Sequence, residues 1–388
     1  MQNSFKGLHR SYILSILEYD NFCGIIINKL FTDVRCIKRR SCRMKKITAL
    51  ILIVALFTLM FTGCIPKAQT EQPKPEKKLE DKSENKEDIP EETEKIALRS
   101  VVLSGTTAMS MAKILKEKPA IFKSEIEHEI IKAPDLMAAK IISGEADFAV
   151  IPTNLAAKLY NKGVPYKLAA STVWGVLYVT SSENIDGWEG LKGKEIYTIG
   201  KGLTPDILFR YLLKENGLDP EKDVKLIYLP SPQELAQTLI SEKGKVGIVP
   251  EPMLTAVLMK NQNFNIYIDL QEEWKKTTGI DSYPQTSLII KNEIIEKYPN
   301  IIDEFLTKYE ESINWVNENK ADAGEFIETL NIGLKAKIAE KSIPGSNLKY
   351  VDAQEARPAV EKFLKVLMDF SADSIGGKLP DENFYLQR

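Results

Sequence analysis

Cysteine and histidine are almost missing from this sequence. Cysteine occurs four times in 388 residues, at Cys23, Cys36, Cys42 and Cys64, and never again after position 64. The long remainder therefore has no disulfide framework, no thiol nucleophile and no cysteine-based zinc site. Histidine occurs twice, and only His128 follows Cys64. A Ser-His-Asp triad or a His-rich metal centre is excluded by inventory. His128 lies in IEHEII, where polar and apolar residues alternate as on a strand, and reads as a solvent-facing residue rather than a ligand. No metal and no cofactor is expected. An excess of positive charge is missing too. Ten of the 52 Lys and Arg and three of the 54 Asp and Glu precede Cys64, so the rest carries a formal charge of −9. Such a chain has no global field for nucleic acid. Long apolar runs are likewise scarce. The clear one, Ile47 to Phe61, is about 15 residues, short of the roughly 20 that span a bilayer.

What surrounds that run gives it meaning. Met44-Lys45-Lys46 precede it, and Thr62-Gly63-Cys64 end it before the chain turns polar. A positive start, a short apolar stretch and a small-residue end make a secretory signal over 44–63. Gly63-Cys64 resembles a bacterial lipobox, which implies lipidation of Cys64; Phe61 stands where that pattern prefers Leu. Residues 1–43 read as a non-functional extension, either upstream of a true start at Met44 or discarded with the signal. Residues 64–96 are dominated by Lys, Glu, Pro, Gln, Asp and Ser, too polar to offset their ordering entropy, and read as a disordered tether.

From residue 97 strand and helix patterns alternate. LRSVVLSG is a β-branched run and TTAMSMAKILKEK a helix, with Thr106 or Thr107 placed to cap it. SEIEHEIIKAP reads as a strand, Asp135 as the cap of LMAAKIISG, DFAVIPT as a strand, NLAAKLYNKG as a helix, and YKLAASTVWGVLYVTS as one long β-rich stretch. The same grammar returns from GKEIYTIG to NIYIDL, and helical segments follow to the end. The fold class is α/β: two doubly wound halves in a bilobal plan, with C-terminal helices.

SGTTAMSMAKIL, AAKIISGEADFAVIPTNLAAKLY, LKGKEIYTIGKGLTPDILFRYLLKENGLDP, VGIVPEPMLTAVL and SIGGKLPDENFY, taken in order, resemble the substrate-binding proteins of bacterial ABC transporters of the sulfonate, nitrate, taurine and thiamine-precursor type. The resemblance covers residues 98 to about 388. It implies two α/β lobes joined by a two-strand hinge and closing on a ligand, with crossings near Val176–Ser182 and Tyr283–Lys291, lobe one over 97–179 with 290–388 and lobe two over 180–289. It also implies a small-molecule ligand, permease partners, a membrane link through the lipid anchor, and no catalysis. A monomer is expected. An enzyme on the same scaffold, of menaquinone- or pyrimidine-pathway type, and a signalling lipoprotein are the alternatives.

In open α/β sheets ligands bind beyond the carboxyl ends of the strands. That rule selects Gly105, Thr106, Thr107, Pro134, Thr153 and Asn154 in lobe one, and Lys201, Gly202, Thr204 and Glu251 in lobe two. Several of these turns open a helix, whose free N–H groups and positive dipole end suit an anion. Trp174 and Tyr283, at the crossings, are candidates for stacking on a flat ligand. Glu251, between two prolines, is placed to accept from an amine or ring N–H, or to bridge the lobes. GKGLT at 200–204 is not G-x-G-x-x-G, which argues against a dinucleotide site.

Overall fold

The computed structural model describes residues 96–388. The expected extension, the signal, the lipidation site Cys64 and the tether up to residue 95 lie outside the described residues. Strands fall in the order β1 (Leu98–Leu103), β2 (Ile126–Ile131), β3 (Phe148–Pro152), β4 (Tyr166–Trp174), β5 (Leu177–Ser181), β6 (Glu195–Ile199), β7 (Lys225–Leu229), β8 (Val246–Pro250), β9 (Asn265–Asp269), β10 (Pro284–Lys291) and β11 (Leu348–Asp352). The α-helices are α1 (Thr106–Ser110), α2 (Ala112–Glu117), α3 (Pro134–Ile142), α4 (Thr153–Asn161), α5 (Thr204–Glu215), α6 (Pro232–Ile240), α7 (Met253–Lys260), α8 (Leu270–Thr278), α9 (Asn292–Lys297), α10 (Pro299–Glu318), α11 (Lys320–Thr329), α12 (Ala336–Ser342) and α13 (Ala353–Phe370).

The strands form two mixed sheets. Sheet one has the order β11-β4-β10-β3-β1-β2, and sheet two β7-β6-β8-β5-β9. The two-lobed α/β class read from the sequence is the fold observed. Helices cover both faces of sheet one. Phe148 of β3 stacks on Phe305 of α10, with ring centroids 4.0 Å apart. Phe148 pairs with Ile290 of β10. Ser287, three residues away on that strand, points to the opposite face and meets Thr153 of α4 at 2.9 Å. Burial on both sides explains why β4 reads as an almost unbroken buried run instead of an alternating one.

Several local expectations are corrected. The long β-rich stretch is divided at Gly175–Val176: β4 belongs to sheet one and β5 to sheet two. The chain returns between Gly279 and Tyr283, ahead of β10. TTAMSMAKILKEK is two short helices. Ser110 Oγ donates to the Thr107 carbonyl at 2.7 Å and pairs with Tyr309 OH at 2.6 Å, and a hydroxyl bonded back into its own turn competes with the helix ladder. Gly105, at φ +100°, is the N-cap of α1, so Thr106 and Thr107 lie inside the helix and cap nothing. Asp135 sits in the first turn of α3 behind Pro134 and makes no capping bond. Helix α8 and strand β11 were not foreseen. His128 is half-buried, and burial with Lys118 nearby lowers its pKa to about 4. No metal-binding group of His, Cys, Asp or Glu occurs among the described residues. Nor is any helix there long and apolar enough to cross a membrane.

Lobe one extends past its sheet through α11 and α12, which pack together at Gly324. A Cβ there would lie 2.6 Å from the Ala336 carbonyl oxygen and 3.1 Å from Glu340 Cβ. The backbone oxygen cannot swing away, so Gly324→Ala should cost roughly 1–3 kcal/mol in denaturant unfolding, with the fold retained. An unchanged midpoint would show that the two helices can part freely.

Candidate functional site

Strand direction fixes which ends of the sheets carry the site. In sheet one β10 is antiparallel to both β3 and β4, so β3 and β4 run together, as do β1 and β2. Their carboxyl ends therefore lie where the chain leaves for sheet two, after Trp174. In sheet two β5 is antiparallel to β8, and β6 and β7 run with β8. Leu177, the first residue of β5, pairs with Pro250, the last of β8. The carboxyl ends of β6, β7 and β8 thus lie where the chain arrives. Both sets of strand-end turns gather at the sheet ends that the crossings join.

The crossing itself has no strand partner, and its buried polar groups are satisfied one by one. Trp174 N–H donates to the Asn347 carbonyl at 3.1 Å, and Glu251 N–H to the Val176 carbonyl at 3.0 Å. Gly175 N–H donates to Ser282 Oγ at 3.0 Å. Asn347 Nδ2 donates to the Gly175 carbonyl. Leu177 N–H donates to Gln271 Oε1 at 3.0 Å, and the same oxygen accepts from Tyr283 OH at 2.8 Å. Tyr178 OH reaches back to the Gly345 carbonyl in lobe one at 2.9 Å. Asp269 caps α8 through the N–H groups of Gln271 and Glu272, which sets the start of the helix that carries Gln271. Gln271, Ser282, Gly345 and Asn347 were all missed from sequence.

Tyr283 and Trp174 do not stand open as stacking platforms. Tyr283 is fully buried. Its ring stacks on Phe363 of α13 at 5.6 Å and meets Trp274 of α8 edge-on at 5.8 Å. Those contacts pack its ring between the two lobes. Trp174 is half-buried and donates its Nε1 hydrogen to the Lys349 carbonyl at 3.0 Å, which fastens it to β11.

The helix ends divide by lobe. In lobe one α1, α3 and α4 begin without a side-chain cap. Thr106 and Thr107 are buried at the first of these turns, and Pro134 is exposed at the second. Thr153 is buried against Ser287 at the third, where Asn154 Nδ2 donates to the Ser374 carbonyl at 3.4 Å. In lobe two α5 also begins without a side-chain cap, but the first-turn N–H groups of α6 and α7 are engaged, and α5 carries an acid in its first turn. Asp206, buried in the first turn of α5, accepts from Gly202 N–H at 2.8 Å, Tyr228 OH at 2.7 Å and Arg210 Nε at 2.5 Å. The Gly202 N–H, expected to face an anion, is therefore satisfied by the protein's own carboxylate. The signal was present as Thr-Pro-Asp at 204–206, an acid in a first helical turn. Ser231 Oγ accepts from Glu234 N–H at the start of α6. Thr204 is buried, whereas Lys201 is exposed with its ammonium 5.6 Å from the Tyr228 ring. Lys201 and Gly202 also line a groove of about 800 Å³ along α5, shared with Lys214 and with Phe370 of lobe one.

Glu251 occupies the third such position. Its carboxylate accepts from Thr255 N–H at 3.0 Å and Thr255 Oγ at 2.8 Å, at the start of α7. It also abuts lobe one: a Cβ on Gly345 would lie 2.9 Å from Glu251 Oε1. Burial raises its pKa to about 7, against the opposing pull of the two Thr255 bonds. The unfolded carboxyl titrates near 4.3, so the folded state holds the extra proton between these values. Stability from this group is full below the unfolded pKa and falls as pH rises through about 7.

Two outcomes follow. Between pH 5 and pH 8, Glu251→Gln should remove up to about 3 kcal/mol of pH-dependent loss from denaturant-unfolding curves, becoming the more stable protein at pH 8. Curves that stay parallel would place the titration elsewhere. At Gly175 a Cβ would lie 2.3 Å from Gln271 Cγ and 2.7 Å from Tyr283 Cε1. Gly175→Ala should thus cost about 1–3 kcal/mol, read as a lowered unfolding midpoint.

A family profile described as the NMT1-like family matches residues 138–331, half of the chain. No curated protein matches it. Among solved structures, an ABC transporter from Parabacteroides distasonis is similar at 29% identity and a TM-score of 0.67, covering 75% of this chain and 99% of that one. The periplasmic aliphatic sulphonate-binding protein SsuA from Escherichia coli is similar at 17% identity and a TM-score of 0.60, covering 75% and 92%. The periplasmic nitrate-binding protein NrtA from Synechocystis PCC 6803 is similar at 16% identity and 0.53, covering 73% and 84%. The last two share the fold. With half its length matched, and with two mixed-sheet lobes joined by two crossings, the chain belongs to the NMT1-like family.

Proposed function

We propose that this protein is the extracytoplasmic solute-binding component of an ABC importer, held to the membrane by a lipid on Cys64 and passing its ligand to the permease. The observation that carries the reading is the gathering of both sets of strand-end turns at the crossings, where two lobes can close on a small molecule. The similarity to the Parabacteroides distasonis transporter structure supports it. Ligand contacts on both lobes favour the closed state, and no chemical step is required.

The division of the helix ends refines the ligand. Uncapped N-termini at Gly105–Thr107, Pro134 and Thr153–Asn154 suit an anionic group on lobe one. On lobe two Asp206 and Glu251 place carboxyl groups at the starts of α5 and α7, so Lys201, Thr204 and Glu251 face the uncharged or donor-bearing part. A small organic anion with an N–H or amine fits this pattern, as does a heterocycle carrying an acidic substituent.

A thermal-shift screen of sulfonates, nitrate, thiamine precursors, flavins, amino acids and aromatic acids tests the reading. A ligand at 100 times its Kd should add roughly 2.7 kcal/mol of stability. We expect a saturable hit with an organic anion, weakened roughly tenfold or more by Thr107→Val. Hits confined to cations, or a silent panel on folded protein, would count against the proposal.

A further inference from the structure

The two crossings are separate segments, yet one atom touches both. Gln271 Oε1 accepts the Leu177 N–H of the first crossing at 3.0 Å and the Tyr283 hydroxyl of the second at 2.8 Å. An amide oxygen has two lone pairs, and here both are used. Gln271 is only 6% exposed, so neither donor can turn to water instead. The amide is aimed from three sides. Asp269 fixes the first turn of α8 below it. Gly175, lacking a Cβ, leaves the space that Gln271 Cγ occupies. Tyr283 is itself held by Phe363 of lobe one and Trp274 of lobe two.

We propose that Gln271 is the positioning residue of the hinge: its carbonyl couples the two crossings, so that they bend together and the angle between the lobes takes a defined value. The inference rests on the reading that the lobes turn about these crossings. A swing at Gly175–Val176 changes where Leu177 N–H points, and the shared oxygen passes that change to Tyr283. Without the shared acceptor each crossing bends on its own, and the distribution of interlobe angles widens.

The test uses the full chain with Cys23, Cys36, Cys42 and Cys64 changed to serine. Nitroxide labels go at Ile142→Cys in lobe one and Ile266→Cys in lobe two, both exposed positions. Pulsed electron-electron resonance then reads the interlobe distance without any ligand. Gln271→Met should shift the mean by several ångströms or split the distribution. Tyr283→Phe, which keeps the ring packing and removes only the hydroxyl, should move it in the same direction. The double variant should move it no further, and Gln271→Glu, which keeps an acceptor oxygen, should restore it. A distribution unchanged in Gln271→Met overturns the proposal even if its melting temperature falls. If that variant does not fold, an unchanged Tyr283→Phe overturns it equally. Gly175→Ala separates the two readings, because its new Cβ displaces the Gln271 side chain. Movement there with none in Gln271→Met leaves the hinge standing and removes Gln271 from it. No movement in any variant removes the hinge as well.

Discussion

A chain that passes from one sheet to another must leave both hydrogen-bond ladders, and the groups exposed at that point cannot be left dry and unpaired. This constraint organises the centre of the molecule. Trp174, Gly175, Val176 and Leu177 present backbone donors and acceptors in a region largely closed to water. Their bonds go to residues far away in sequence: Ser282, Asn347, Glu251 and Gln271. Satisfying the crossing therefore pins four distant segments to it, the end of β8 at Glu251 among them. Once pinned, they bring lobe one's 345–349 segment, the start of α8 and the return crossing into one contact. The absence of a side chain at Gly175 makes that convergence possible, since Gln271 and Tyr283 fill the space.

The same convergence places the strand-end turns. Because the chain leaves sheet one at the carboxyl end of β4 and enters sheet two beside the carboxyl end of β8, the turns of both lobes share one side. Helix α13 reinforces the arrangement. Its Phe363 packs on Tyr283 and Trp274, and the Lys214 ammonium of α5 sits 4.6 Å from the ring of Phe370 at its end. The hinge is thus bordered by apolar contacts, which are non-directional, and centred on hydrogen bonds, which are not. Apolar surfaces tolerate small sliding, while the bonds select particular angles.

Most of the fold was legible because it rests on local periodicity. Alternation, β-branched runs and Gly or Pro breaks gave the strands from β1 to β9, with β4 and β5 as one stretch; the resemblance placed the crossing that contains β10, and the repeated strand–helix grammar gave two lobes. What was illegible depends on partners far apart in sequence. Gln271 lies 94 positions from Leu177, and Asn347 lies 172 from Gly175. No spacing rule connects them. Strand β11 was missed because LKYVD is short and has its meaning only as the edge beside β4. Helix α8 was missed because its strongly polar sequence hides an apolar contact made by Trp274 alone in its middle turn. The candidate turns were found by rule, but which side chains stand free at them was not. Tyr283 before a proline and Glu251 between two prolines both read as unusual positions. Burial turned the first into packing and the second into a helix-end acceptor against lobe one.

That unequal occupation of helix ends bears on how closure works under the proposed function. A ligand shifts the balance between open and closed only through contacts that differ between the two states. A charge held entirely by lobe one contributes equally to both, and so governs capture without driving closure. Closure then depends on what lobe two adds. The N–H groups of Gly202 and Thr255 are not open to a ligand, because Asp206 and Glu251 accept them, and both carboxyl groups sit at the starts of lobe two's helices. The remaining means are shape, apolar area and hydrogen bonds to the neutral part of the ligand. An ion of the right charge and wrong body would therefore bind lobe one and leave the lobes apart. Specificity in such a device lies in the second lobe's refusal to close, and the internal carboxylates are what withhold a second, indiscriminate anion site from it.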